Sequence, residues 1–221
     1  MMNSPGICAS IVSSDTELVK AVVSSVDLYE VRIDLIGDGW QELAGQLKKP
    51  WIACNRRAEE GGSWRGSETA RIAELTRAVE MGADMVDIEM ETEDLAAVVR
   101  MVKQRTQCLL SHHDLRETPS LDKMRKIVER QLAAGADVCK VVTTARTLGD
   151  NLAVLQLVKE FPGSRVVSFA MGALGVTSRV LCPLVGGDFT YASLAEGREA
   201  APGQLTVGDL RKIYGMLDDG K

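Results

Sequence analysis

The stretch Gln131–Val142, QLAAGADVCKVV, decides the fold. An amphipathic run stops at Gly135, a residue suited to ending a helix, and a β-branched run starts at Val138. Ala78–Met90, AVEMGADMVDIEM, makes the same corner through the same Gly-Ala-Asp turn, with Gly82 as the stop. A recurring helix-to-strand corner is the mark of a wound parallel sheet.

Outward from these corners the alternation runs to both ends of the chain. Strands are expected at Ile7–Val12, Leu28–Leu35, Trp51–Arg56, Met85–Met90, Gln107–His113, Val138–Thr144, Arg165–Met171 and Phe189–Leu194. Helices are expected at Asp15–Val26, Ser67–Met81, Thr92–Gln104, Ser120–Ala134, Leu148–Glu160 and Thr206–Leu217, with Thr92, Ser120 and Thr206 as N-caps. This pattern implies an α/β fold, a single (β/α)8 TIM barrel over residues 1–221, with a doubly wound open sheet as the alternative. No Gly-x-Gly-x-x-Gly follows the first strand, which speaks against a dinucleotide site. The chain is short beside the ~250 residues of a typical barrel, so lean loops are expected.

Twenty-six basic against 31 acidic residues give a net charge of −5, which argues against nucleic acid as a partner. No segment has the length and apolarity of a membrane span, and MMNSPGICAS lacks the basic-then-apolar layout of a signal peptide. Cys8, Cys54, Cys108, Cys139 and Cys182 show no Cys-x-x-Cys spacing, and the first four lie in apolar runs. They read as buried side chains of a reducing cytoplasm, not as disulfides or zinc ligands.

Strands buried on both faces are apolar almost throughout, so the polar residues inside them carry the information. Lys140 shares a face with Val138 and Val142. It reads either as an edge or snorkelling lysine or as a desolvated amine, with a pKa lowered by up to ~3–5 units, able to attack a carbonyl. His112 and His113 end the preceding strand candidate, where barrel enzymes carry catalytic groups. Strand neighbours point to opposite faces, so one of the two shares the interior with Lys140 as an acid–base candidate. For the same reason joint metal binding by the pair is not expected. Glu30 with Arg32, and Asp87 with Glu89, are further same-face pairs, read as an ion network or as the wall of a polar pocket. Arg56 precedes a Gly61-Gly62 turn over which Glu60 reaches back to the barrel mouth. Arg179 follows the Gly-rich stretch Met171–Gly175; such loops bind phosphate in some barrels, while an Arg fork suits a carboxylate.

In chain order these segments resemble the type I 3-dehydroquinate dehydratase family. The resemblance rests on Glu30-Val31-Arg32, on Arg56 with Glu60-Gly61-Gly62, on Ser111-His112-His113-Asp114 and on Lys140. Met171-Gly172 with Gly175 and Ser178-Arg179, then Ala201-Pro202-Gly203-Gln204, complete it. It implies a cofactor-free, metal-free lyase converting 3-dehydroquinate to 3-dehydroshikimate. Lys140 is then the imine lysine, His113 the base and acid, and Glu60 the group that orients it. Arg179 holds the substrate carboxylate, and Glu30, Arg32, Arg56, Gln204, Ser10 and Met171 bind the rest or tune the site. The resemblance also implies a homodimer.

Several residues depart from the family pattern. Ala200 stands where a serine is usual, and Glu196–Glu199 lengthens the loop Leu194–Gln204. Phe169 and Tyr191 replace Met and Phe, read here as apolar wall changes of small consequence. The runner-up is a Schiff-base aldolase of the same fold, with Gly186-Gly187 as its phosphate cradle. A barrel that binds a small acid without catalysis leaves Lys140 and His113 unexplained. The face argument gives a direct test: His113→Ala abolishes turnover in a dehydratase assay and His112→Ala is milder, while equal losses refute it.

Overall fold

The structure is a computed structural model, and residues 5–218 are described. The leader reading of Met1–Ser4 lies outside them. Eight parallel strands form: β1 Ile7–Ile11, β2 Leu28–Arg32, β3 Trp51–Cys54, β4 Met85–Glu89, β5 Gln107–His113, β6 Val138–Thr144, β7 Val166–Met171 and β8 Thr190–Ser193. They pair in the order β7-β6-β5-β4-β3-β2-β1-β8. The two ends meet near the floor, where Asp188 N–H donates to the Val166 carbonyl at 2.9 Å. The result is a nearly closed (β/α)8 barrel, and the open-sheet alternative is set aside.

The helices are α1 Thr16–Val22, α2 Ile33–Ile36, α3 Trp40–Ala44, α4 Glu68–Glu80, α5 Leu95–Lys103, α6 Leu121–Ala133, α7 Asp150–Lys159, α8 Val176–Leu181 and α9 Val207–Asp218. None is long and apolar enough to cross a membrane. The expected β2 was too long: after Arg32 the chain turns into α2, because a short apolar run reads equally as strand or helix. Gly82 and Gly135 do stop α4 and α6, at φ of 91° and 98°.

The aspartates of the recurring corner have a structural task. Before β4, Asp84 accepts from the Trp51 N–H that opens β3, at 3.0 Å, and its own N–H donates back to Trp51. Asp137 clamps Cys108 of β5 in the same way, and Asp27 clamps Ile7 of β1. Each even-numbered strand so anchored is fixed in register to its predecessor. Register decides which side chains face inward, so these clamps reach as far as the site.

Inward-facing side chains sort into two layers. Cys8, Ile52, Met85, Leu109, Val138, Val167 and Phe189 form an apolar floor. Above it the interior is charged. Outside the barrel, fully buried Arg71 of α4 ties Glu89, Glu68, Thr92 and the Asn55 carbonyl together. Thr92 therefore serves Arg71 and does not cap α5, whose cap position is Asp94 at φ 49°. Ser120 occupies its cap position without a side-chain bond, and Thr206 exchanges bonds with Asp209.

Arg71→Met leaves Glu89 buried with one cation fewer. A loss of ~3–5 kcal/mol is expected for a broken buried pair, read as a fall in the urea midpoint. An unchanged midpoint refutes the role given to Arg71.

Candidate active site

A cavity of about 350 Å³ opens at the C-terminal ends of the strands, and its lining brings together the ten residues to which the resemblance gives a role. Lys140 projects from the middle of β6 into the space enclosed by β2, β4 and β8. Its Nζ donates to Asp87 Oδ2 at 3.0 Å and to Glu30 Oε1 at 3.4 Å. Ser10 donates to the other Glu30 oxygen at 2.9 Å.

This arrangement corrects the expected pKa of Lys140. Burial works to lower it, but Asp87 and Glu30 outweigh burial and hold the resting amine protonated. Burial likewise works to raise the pKa of Asp87, yet Arg56 and then Lys140 keep that carboxyl ionised. Asp87 was visible in the sequence as one of a polar pair and received no role. Its position between two cations appears only on folding.

His113 ends β5 facing the cavity, and His112 does not line it. The His113 Nδ1 lies 2.9 Å from Glu60 Oε2, and Nε2 has no protein hydrogen bond among the described residues. Burial, then Arg56 and Lys140, pushes the His113 pKa well down, so the imidazole is neutral. Burial raises Glu60 to about 7, Arg56 opposing. An ionised Glu60 accepts from Nδ1–H and leaves Nε2 basic.

Arg56 is largely occupied: it donates to Ser111 at 2.7 Å and to Asp87 at 2.6 Å. Arg32 is clamped by Asp34 through two bonds, at 2.9 and 2.7 Å. Arg179 differs. Buried to 1 % exposure on α8, it donates to the Pro202 carbonyl at 3.2 Å, and its Nε has no partner among the described residues. Burial lowers its pKa to about 10, with Glu30 opposing, so it stays charged at neutral pH. The loop read from the sequence around Arg179 is thus a 3₁₀ turn, Ala173–Gly175, leading into a short helix.

The loop after β8 closes one side. Ala200 N–H donates to Gln204 Oε1 at 2.6 Å, and Gln204 Nε2 donates to Ser10 at 3.2 Å. Gly203 sits at φ 77°, and a Cβ there would meet the Gly172 carbonyl at 2.4 Å, so only glycine lets this loop rest on the one after β7. Met171 forms part of the cavity wall. Gly186 and Gly187 precede β8, at the end of the barrel away from the cavity, and form no phosphate cradle there.

Fold and site together define the class of barrel enzymes that act through side chains at the C-terminal mouth. Within that class the chain belongs to the type I 3-dehydroquinase family, whose model matches residues 7–221. It is 42% identical over 214 residues to a 3-dehydroquinate dehydratase of Dehalococcoides mccartyi, covering 97% of this chain and 96% of that one. The solved 3-dehydroquinate dehydratase of Geobacillus kaustophilus superposes with a TM-score of 0.83 at 27% identity, over 97% of this chain and 91% of its own. That of Clostridium difficile gives 0.85 at 21% identity, over 99% and 94%, a likeness of fold.

Because Glu60 charges near pH 7 while His113 stays neutral, kcat/KM should fall as pH drops through about 7. Glu60→Gln should lose ~10²–10⁴ in rate and flatten that acid limb. An unchanged limb in Glu60→Gln overturns the assignment.

Proposed function

We propose that the chain eliminates water from 3-dehydroquinate through an imine on Lys140, and that it does so as a single barrel domain. Membership of the family makes it a hydro-lyase with a role in the shikimate pathway. The reading of its chemistry rests on one observation above the rest: a buried amine and a Glu60-bound imidazole line the same cavity as an unsaturated guanidinium.

The resting ammonium first gives a proton to neutral His113, an uphill step against the hold of Asp87 and Glu30, and the small fraction of free amine adds to the C3 ketone. His113 returns that proton to the carbinolamine hydroxyl, which leaves as water and yields the iminium. The cationic nitrogen draws electrons from the ring and acidifies C2. His113 removes the C2 proton, the enamine expels the C1 hydroxyl, and the same imidazole protonates the departing oxygen. Water then hydrolyses the iminium, releasing 3-dehydroshikimate and restoring the Lys140 ammonium. The water formed on condensation balances the water used in hydrolysis, so one water leaves in total.

Asp87 and Glu30 serve both ends of this cycle, since ammonium and iminium carry the same charge at nearly the same place. Arg179 takes the substrate carboxylate, a match of planar fork to planar anion. Gln204, Ser10 and Arg32 remain for the ring hydroxyls, with Met171 as apolar wall, and Arg56 tunes the site through Asp87 and His113. None of these steps calls for a cofactor or metal. A homodimer in the cytoplasm is the setting proposed, in keeping with five free, buried cysteines.

Borohydride added with 3-dehydroquinate should leave a reduced adduct on Lys140, located by mass spectrometry of the digested protein. Turnover should also persist in a strong chelator. Full turnover with no trapped adduct sinks the imine, and loss of activity that added metal restores sinks the metal-free chemistry.

A further inference from the structure

Two aromatic side chains of this site touch its cations. The Lys140 Nζ stands 4.1 Å from the centroid of the Tyr191 ring. The Arg179 guanidinium carbon stands 4.4 Å from the centroid of Phe169. The two rings meet edge to face at 6.0 Å and 63°, and Phe189 of the floor meets Tyr191 in the same manner at 5.4 Å and 66°. Tyr191 is on β8 and Phe169 on β7, the two strands between which no hydrogen-bonded ladder forms among the described residues. Above the Asp188–Val166 backbone bond, ring contacts join the two edges.

We propose that Tyr191 and Phe169 form a positioning platform across the β7–β8 seam, on which Tyr191 seats the Lys140 amine and its iminium while Phe169 seats Arg179. The inference rests on the imine reading of Lys140. A ring face carries partial negative charge and attracts a cation, most strongly where water is excluded. Tyr191 is buried, so its face acts on ammonium and iminium alike, and adds to the two carboxylates without being able to take their proton. Because the rings interlock, the separation between the amine and the arginine that holds the carboxylate is set by packing, not by a flexible stem. Among the described residues the buried Tyr191 hydroxyl has no hydrogen-bond partner, so the ring and not the hydroxyl is the working part.

The test uses the intact enzyme with Tyr191→Phe, Tyr191→Leu and Phe169→Leu, reading kcat, KM and the pH midpoint of borohydride trapping with 3-dehydroquinate. Asp87, Glu30, Arg56 and Cys54, the other groups acting on Lys140, stay in place throughout. Tyr191→Phe should keep kcat and the trapping midpoint, and should melt higher by losing a buried, unpaired hydroxyl. Tyr191→Leu should lower kcat roughly tenfold and move the midpoint to lower pH, since an ammonium without the ring loses its proton more readily. Phe169→Leu should raise KM with a smaller change in kcat. Should Tyr191→Leu fail to fold, phenylalanines carrying one to three ring fluorines at position 191 keep the shape and drain the face. Log kcat should then fall stepwise with fluorine count. A flat fluorine series, or equal losses in Tyr191→Phe and Tyr191→Leu, overturns the platform while trapping in the parent enzyme persists. Absence of trapping in the parent enzyme overturns the imine reading instead.

Discussion

A buried ammonium must be neutralised by its surroundings, and the upper half of this barrel is organised around that requirement at Lys140. Asp87 and Glu30 answer it directly. Arg56 then balances Asp87 and Glu89, and Arg71 balances Glu89 from outside the barrel wall. Arg32 closes on Asp34. Among the described residues Arg179 is the buried guanidinium at the cavity with no carboxylate bonded to it. That free fork is why the substrate carboxylate is assigned to Arg179 in the proposed function.

The same requirement reverses a common expectation about amine nucleophiles. Burial alone would favour a neutral lysine, but two carboxylates beside it make the resting group an ammonium. In the proposed imine mechanism catalysis then begins with a proton transfer. The imidazole across the cavity is the neutral base available, and because burial and its cationic neighbours weaken it, the transfer is uphill in the resting site.

Much of this was legible in the chain because period-two alternation and helix stops are local. The Gly-Ala-Asp corners announced the parallel strands, and their aspartates also lock β4 to β3 and β6 to β5 in register. The face shared by Lys140, and the opposite faces of His112 and His113, followed from strand geometry. Helix α8 escaped notice because six residues carry too little period to stand out after a Gly-rich stretch. Thr92 had the look of a cap, but a buried arginine from another helix claimed its hydroxyl.

What the sequence determined by itself was the alternation, the barrel and the identity of the residues that face inward, since these depend on near neighbours along the chain. What only the tertiary structure decided was how those residues act on one another. Lys140 lies 53 positions from Asp87 and 110 from Glu30, so the charge state of the amine is a property of three strands at once. Tyr191 and Phe169 read as wall changes for the same reason, since a ring's effect on a cation depends on ångström separations that spacing along a chain does not encode.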